Sequence, residues 1–91
     1  MRGRELVGAN LKRLRVARQV SQERLAFDAG VDRSYVGGME RGEENPTIDI
    51  LDKLAATLAV PVGEMLTPLQ EGKPTSAGLR RGRKPRQGDQ A

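Results

Sequence analysis

The spacing of small and apolar residues between Gln22 and Arg41 constrains this chain more than any other feature. Ala26 suits a place where two helices cross closely, and Gly30 follows four residues later, where the chain has to turn sharply. Apolar positions on both sides of the turn can lock two helices at a fixed angle; they are Leu25, Ala29, Val31, Val36 and Met39. The spacing therefore predicts a helix-turn-helix, whose second helix projects outward and can enter a DNA major groove.

Capping residues bound the two helices of this motif. Ser21 is a good N-cap for a helix over Gln22–Ala29, and Asp32 can cap the second helix, which lies close to Asp32–Arg41. Gly42 ends that second helix, because glycine readily takes the left-handed conformation that follows a helix. The segment Asp32–Arg41 is the predicted recognition helix.

Helical spacing of apolar residues predicts three more helices around the motif. An amphipathic helix is expected over about residues 5–18, on the apolar positions Leu6, Val7, Leu11 and Leu14. Thr47 caps a fourth helix, whose buried side is expected to carry Ile48, Leu51, Leu54, Ala55 and Leu58. Pro61 opens a short fifth helix that Thr67 and Pro68 stop. No alternating strand pattern occurs, so the expected fold class is all-α, with five helices in one compact domain.

The composition changes after Leu69, which divides the chain into a predicted domain over residues 1–69 and a tail over residues 70–91. Gly, Pro, Ser, Gln and basic residues dominate the tail, so it cannot bury enough apolar surface to offset its ordering entropy and is expected to be disordered. Its segment Arg80–Arg86 resembles an AT-hook, a minor-groove arm, although Lys84 interrupts the usual pattern. The favoured interpretation is a basic tail that binds any phosphate backbone.

The absence of Cys and His from the sequence excludes several kinds of chemistry. Neither disulfides nor thiolate or imidazole metal ligands are available, and no cofactor or metal site is expected. The commonest general base is also missing, and the acidic residues fall at caps and on exposed faces, so no enzyme is expected. No segment approaches the roughly 20 apolar residues of a membrane span. A cytoplasmic, nucleoid-associated protein without a membrane partner is the expectation.

The charge of the chain is unevenly distributed. The formal net charge of +4 equals that of residues 70–91, which carry six basic and two acidic residues, so residues 1–69 are neutral as a whole. Within them, residues 1–39 carry eight basic and four acidic groups, whereas residues 40–69 carry two basic and six acidic groups. The domain is therefore expected to be a dipole with a basic N-terminal half, which suits a nucleic-acid partner.

The motif and its flanks resemble the xenobiotic-response-element family of lambda-repressor/Cro-like regulators. Four segments carry the resemblance, which covers about residues 5–67; they are Ser21–Ala26, Gly30–Val36, Met39–Gly42 and Asn45–Thr47. The resemblance implies a compact five-helix domain that binds double-stranded operator DNA as a homodimer and regulates transcription. The stretch Asp32–Arg41 is also similar to small controller proteins of restriction–modification systems.

Three residues at the start of the recognition helix are the candidate base contacts. Arg33 can donate two hydrogen bonds to guanine O6 and N7 together, which is worth roughly 1–3 kcal/mol of discrimination between bases. Ser34 is short and can reach a base or a phosphate. Tyr35 can touch a base edge, a thymine methyl or a phosphate, or it can pack on the preceding helix, and the sequence leaves these alternatives open.

The resemblance also implies four contacts to the DNA backbone. Gln22 matches the family residue that opens the first helix of the motif over a phosphate. Arg41, Asn45 and Thr47 fall where the family contacts phosphates. Each of these polar residues could equally be an ordinary solvated side chain, so the assignment rests on the resemblance.

Arg15 and Glu40 have a different role in the family, where the matching pair forms a partly buried salt bridge between the first and third helices. Both are therefore expected to be structural and to make no contact with DNA. Gly37 and Gly38 depart from the family, which often places base-reading side chains there. Either the backbone approaches DNA closely at these glycines, or specificity rests on the residues that precede them.

The segment Val60–Leu69 offers apolar side chains that one small core need not consume. We expect a twofold interface to be formed by Val62, Met65, Leu66 and Leu69. Such an interface would suit a palindromic operator, although core packing must claim some of these residues. No domain for a small-molecule ligand is expected, so regulation would come from concentration, dimerisation or a protein partner.

Two other functions are compatible with the sequence. An antitoxin, or another protein-interaction module on the same fold, would neutralise a partner and also bind its own promoter. A non-specific packaging protein would bind nucleic acid without a preferred site. A sequence-specific transcriptional regulator is the favoured interpretation.

Overall fold

The computed structural model describes residues 2–69, and the predicted basic tail lies outside them. This part of the chain contains α-helices and one 3₁₀ helix, and no strand: α1 (Gly3–Ala17), α2 (Gln22–Ala29), α3 (Arg33–Glu40), α4 (Ile48–Thr57) and the 3₁₀ helix Val62–Leu66. The all-α fold with a helix-turn-helix is confirmed. The predicted short fifth helix after Pro61 is a 3₁₀ helix, so the α-helices number four within residues 2–69. None of the helices in residues 2–69 is long and apolar enough to cross a bilayer.

The N-terminus of each later α-helix is capped by the predicted side chain. Ser21 Oγ accepts a hydrogen bond from the Arg24 amide at 3.0 Å, and Asp32 Oδ1 accepts one from the Ser34 amide at 2.9 Å. Thr47 Oγ1 accepts from the Ile50 amide at 3.1 Å. Each bond satisfies an amide that has no partner within its helix, so the starts of α2, α3 and α4 follow from local sequence.

Left-handed residues terminate the helices, but only half of them are glycines. Gly30 (φ 72°) and Gly42 (φ 76°) take the conformation that the sequence predicts. Gln19 (φ 58°) and Ala59 (φ 59°) do the same after α1 and α4, although a β-carbon makes this conformation unfavourable. The amide after Ala59, that of Val60, donates back to the Ala55 carbonyl at 3.0 Å, which satisfies a carbonyl at the end of α4.

The core is formed by all four α-helices and the 3₁₀ helix. α1 packs on α3 and on the 3₁₀ helix, while α2 packs on α3 and α4. The buried apolar residues are Val7, Leu11, Leu14, Leu25, Ala26, Val36, Met39, Leu51, Leu54, Ala55, Leu58 and Met65. Ile48 is a correction to the predicted core, because its side chain is 63% exposed. It is the first residue of α4, where the helix extends past the closed core towards an open groove that also contains Leu66.

Gly8 allows α1 to lie directly against α3. A β-carbon built at Gly8 would overlap the carbonyl oxygen of Met39 and would lie 3.1 Å from that of Glu40. These neighbours are backbone atoms, which cannot move aside as a flexible side chain can. The absence of a side chain at Gly8 therefore fixes how closely α1 supports the C-terminal end of α3.

Asn10 is the one fully buried polar side chain in the described part of the chain. Its Nδ2 donates to the carbonyl oxygens of Met65 at 3.0 Å and Thr67 at 2.9 Å. Its Oδ1 accepts from Arg13 Nη2 at 3.0 Å. All the hydrogen-bonding groups of the amide are thereby used, and the 3₁₀ helix and the segment after it are fastened to α1.

Candidate nucleic-acid interface

The start of α3 presents two of the three candidate base contacts to solvent. Arg33 and Ser34 are exposed, whereas Tyr35 is half-buried and packs against the core. The helix cap holds Ser34, because Asp32 Oδ1 accepts hydrogen bonds from both its amide and, at 2.8 Å, its hydroxyl. These two bonds lower the pKa of Asp32 below its ordinary value. Arg33 and Ser34 therefore form the exposed tip of the recognition helix.

Arg33 is paired with a residue of α2. Its Nε lies 3.5 Å from Glu23 Oε2, and both side chains are well exposed. An exposed pair of this kind is weak, worth about 0.2–1 kcal/mol. The guanidinium can therefore leave its carboxylate for a stronger partner at little cost.

Gln22 and Arg41 both lie next to Gly37, although they are far apart in sequence. A β-carbon built at Gly37 would lie 3.3 Å from Arg41 Nη1 and 3.5 Å from Gln22 Oε1. Two of the four predicted backbone contacts are therefore brought together on one surface. Arg41 Nε also donates to Glu43 Oε1 at 3.0 Å.

Gly38 is covered by Glu44. A β-carbon at Gly38 would lie 2.8 Å from both Cγ and Oε2 of Glu44. Gly37 and Gly38 are thus both buried beneath side chains of this chain, so their backbone is not open to solvent. The sequence offered two explanations for these glycines, a close approach of their backbone to DNA or specificity that rests on the residues before them. Neither includes this packing of side chains over the glycines.

The remaining two predicted backbone contacts lie in and after the loop between α3 and α4. Asn45 and Thr47 are both exposed. Thr47 also caps α4 through its hydroxyl oxygen, which leaves its hydroxyl hydrogen free to donate. Their contacts to DNA stay predictions.

A bidentate ion pair ties α1 to the end of α3. Arg15 Nε donates to Glu40 Oε2 at 2.6 Å, and Arg15 Nη2 donates to Glu40 Oε1 at 3.0 Å. Arg15 Nη1 also donates to the Val20 carbonyl at 2.9 Å, and only 13% and 5% of the Arg15 and Glu40 side chains are exposed. The pair holds the recognition helix from behind, away from its exposed tip.

Gln22 joins this ion pair, which the sequence does not reveal. Its Nε2 donates to Glu40 Oε1 at 3.0 Å, so one carboxylate connects α1, α2 and α3. Burial raises the pKa of Glu40, but hydrogen bonds from Arg15 and Gln22 and the attraction of Arg15 outweigh it, and the net shift is downward. Glu40 raises the pKa of Arg15 chiefly through the same hydrogen bonds. The Nε2 group of Gln22 has a second hydrogen that this bond does not use.

The predicted twofold surface is only partly available. Met65 is fully buried in the core, so it cannot form an interface and is removed from the predicted set. Val62 and Leu66 are 37% and 51% exposed, and Leu69 is half-buried. The cause is the 3₁₀ helix itself, which turns Met65 inward onto α1 while its neighbours face outward.

Ile48 adds to this surface from α4. An open groove of about 250 Å³ runs between the start of α1, the start of α4 and the 3₁₀ helix. It is lined by Gly3, Arg4, Val7, Asn45, Pro46, Ile48, Leu51 and Leu66. Two apolar side chains that line this groove, Ile48 and Leu66, remain exposed, and Val62 is exposed on the same 3₁₀ helix as Leu66.

The arrangement of two helices around a tight turn, with the second one supported from behind, is matched by a known protein family. The family model described as "Helix-turn-helix" (HTH_3) matches residues 11–65. This chain belongs to the HTH_3 family. The family is that of xenobiotic-response-element-like DNA-binding transcriptional regulators, so the resemblance drawn from the motif is confirmed.

Relatives of this HTH_3 protein include regulators of several kinds. It is 40% identical over 68 residues to the uncharacterized HTH-type transcriptional regulator y4dJ of Sinorhizobium fredii, covering 75% of this chain and 88% of that one. It is 45% identical to the restriction–modification controller protein C.AhdI of Aeromonas hydrophila, with a TM-score of 0.67, covering 68% of this chain and 94% of that one. It is 37% identical to SinR, a regulator of biofilm formation solved in complex with DNA, with a TM-score of 0.65 and coverages of 67% and 98%.

Proposed function

We propose that this HTH_3 protein is a sequence-specific transcriptional regulator that binds a palindromic operator as a homodimer. The supporting observation is the exposed tip of α3, with Arg33 and Ser34 pointing to solvent and the Arg15–Glu40 pair behind them. A rigid helix with free polar side chains at its start suits insertion into a major groove. The proposal includes no catalytic activity and no cofactor.

In this proposal the contacts to bases come from Arg33, Ser34 and Tyr35. Arg33 leaves Glu23 and donates two hydrogen bonds to one guanine. Ser34 contacts a neighbouring base or phosphate. Tyr35 contributes only its outer edge, since its ring packs against the core.

Contacts to the DNA backbone would position α3 in the groove. Gln22 donates its free amide hydrogen and Arg41 its guanidinium to phosphates beside Gly37, and Asn45 and Thr47 bind the backbone from the loop and the start of α4. Such contacts fix the register of the helix and carry no sequence information. The tail over residues 70–91 would add affinity for any phosphate backbone.

The twofold axis is proposed to pass beside the groove, with Ile48, Val62, Leu66 and Leu69 in the interface. Exposed apolar side chains that cluster at one place are typical of a surface that is covered in an assembly. Two copies related by this axis would present their α3 helices to successive major grooves. Half-sites about 34–36 Å apart would result.

Selection of bound duplexes from a random DNA pool tests the proposed function directly. An enriched palindrome with half-site centres one helical turn apart supports it, whereas enrichment of no sequence contradicts it. Arg33→Ala should relax the preference at one base pair per half-site, at a loss of about 1–3 kcal/mol. Arg41→Ala serves as the matched control, because loss of a phosphate contact weakens binding to all sequences alike.

Sedimentation of Leu66→Glu tests the dimer. Leu66 is 51% exposed, so the variant should fold as the wild type does but sediment as a monomer and bind one half-site. Gln19→Glu, which adds the same charge at the far end of α1, should remain dimeric. A dimeric Leu66→Glu protein would move the interface elsewhere.

The similarity to C.AhdI favours a controller role within a restriction–modification system. An antitoxin that also binds its own promoter remains the second candidate. Genes for a methyltransferase and an endonuclease beside this one would support the first, and a toxin gene would support the second. Either role places the protein on DNA in the cytoplasm.

A further inference from the structure

Four side chains proposed to contact DNA also contact carboxylates of this same chain. They lie on α2, on α3 and directly after α3. The distances between the paired atoms range from 2.8 to 3.5 Å. The pairs are Arg33 with Glu23, Ser34 with Asp32, Gln22 with Glu40, and Arg41 with Glu43. Each of the two arginines is held through its Nε, so DNA competes with the carboxylate for the orientation and charge of the guanidinium.

Two of the four carboxylates have a structural reason to be there. Asp32 caps α3, and Glu40 forms the buried ion pair with Arg15. Glu23 and Glu43 differ, because their side chains are 75% and 61% exposed and each holds only an arginine of the candidate interface. Neither contributes to the core.

We propose that Glu23 and Glu43 compete with DNA for Arg33 and Arg41, and that Glu23 thereby changes the discrimination between sequences. This inference rests on the proposed function, since it assumes that the two arginines contact DNA. The two carboxylates are expected to have different effects, because Arg33 is proposed to contact a base and Arg41 a phosphate.

Glu23 changes the discrimination between sequences. A guanine at the right position offers Arg33 two hydrogen bonds, which replace the single weak contact with Glu23. At other sequences Arg33 stays with Glu23, the pair is not broken, and no cost of exchange arises. Glu23 therefore lowers the affinity for the operator more than the affinity for unselected DNA.

Glu43 lowers affinity uniformly. Arg41 meets a phosphate, and phosphates are the same at every sequence. The exchange of Glu43 for phosphate consequently costs the same on any duplex. Glu43 keeps the overall affinity low without changing the preferred sequence.

Three single-charge variants separate these effects: Glu23→Gln, Glu43→Gln and the control Asp52→Asn. Asp52 is exposed on α4 and forms no ion pair within residues 2–69, so its variant reports the change in net charge alone. The probes are the duplex that the wild-type protein selects from a random pool and a scrambled duplex of the same composition. Binding is titrated at one fixed salt concentration, because phosphate affinity depends on it.

Glu23→Gln is expected to raise affinity for the selected duplex by about two- to fivefold and for the scrambled duplex by less, so the ratio of selected to scrambled affinity rises. Glu43→Gln is expected to raise both by a similar factor and leave the ratio unchanged. A Glu23→Gln protein with the wild-type ratio of affinities would overturn this inference and leave the proposed function intact. Changes in affinity no larger than those of Asp52→Asn would do the same. A wild-type protein that selects no sequence overturns the proposed function as well.

Discussion

Gly8 in α1 and Met39 in α3 touch through their backbones, with no room for a β-carbon between them. Gly8→Ala must therefore push α1 away from the recognition helix, and we expect the free energy of unfolding to fall by about 3 kcal/mol. Urea denaturation measures this loss. Gly3→Ala is the control, because a β-carbon at Gly3 meets nothing within 4 Å and its stability should change by under about 0.5 kcal/mol.

Ala59 ends α4 in a left-handed conformation that suits glycine better. Ala59→Gly should raise the melting temperature, with a net gain of about 0.5–1 kcal/mol after the greater entropy of the unfolded glycine is subtracted. Ala56→Gly, an exposed position inside α4, should instead cost about 1 kcal/mol. Equal effects of the two variants would contradict this account of the end of α4.

Glu40 links stability to pH. Its pKa is lowered in the folded chain, so its contribution to stability is complete above the ordinary value of 4.5 and is lost as the pH falls through the lowered folded value. Acid unfolding of the wild type should therefore be steeper than that of Glu40→Gln. At neutral pH, Glu40→Gln should be less stable by about 3–5 kcal/mol, because Arg15 is left without its carboxylate.

The measurement for Glu40 is a series of thermal melts from neutral to acidic pH. Glu64→Gln is the control, since Glu64 forms an exposed pair with Arg13 and removing it should cost no more than about 1 kcal/mol. A Glu40→Gln protein as stable as the wild type at neutral pH would sink the assignment of Glu40 as a structural residue.

Asn10 fastens the 3₁₀ helix to α1 through two carbonyl oxygens. Asn10→Ala leaves both carbonyls without this partner and should cost about 1–3 kcal/mol of stability. Because the proposed dimer surface includes the 3₁₀ helix, we also expect weaker dimerisation, measured by sedimentation at several concentrations. Arg18→Ala, at an exposed position after the other end of α1, should leave both properties unchanged within error.

Gly37 lies beneath the guanidinium of Arg41. A carboxylate introduced by Gly37→Glu would pair with Arg41 and face the phosphates that Arg41 is proposed to contact. We expect a loss of affinity for the selected duplex of more than about tenfold in a fluorescence titration. Gly37→Ala brings a β-carbon only against the flexible end of Arg41, and it should bind much as the wild type does.

The sequence predicted the starts of α2, α3 and α4 because N-capping is decided by one side chain and the amides within three residues of it. It predicted the motif because Ala26, Gly30 and the apolar positions around them have a spacing that few other structures require. The predicted fifth helix is a 3₁₀ helix over the five residues after Pro61, and the sequence pattern did not distinguish the two types of helix. There the fastening by Asn10, a contact across 55 residues, helps hold the segment in place.

The site residues also divide into features that local sequence predicts and contacts that only the tertiary structure shows. Arg33 and Ser34 are exposed as their position at the start of a helix suggests, since the first turn of α3 projects from the domain. The sequence did not predict that Gln22 donates to Glu40, that Arg41 and Gln22 both lie next to Gly37, or that Glu44 covers Gly38. These contacts join elements whose relative positions no local pattern encodes.

The sequence by itself determined the helix-turn-helix, its caps and turns, and the positions of its outward polar residues, because all of these follow from spacing within about 20 residues. Only the tertiary structure decided which apolar residues stay exposed. It placed Met65 inside and left Ile48 and Leu66 outside, although all three suit a core equally well by hydrophobicity. The physical reason is that burial depends on how closely helices approach one another, and here that approach depends on contacts such as those of Gly8 with Met39 and of Asn10 with the 3₁₀ helix.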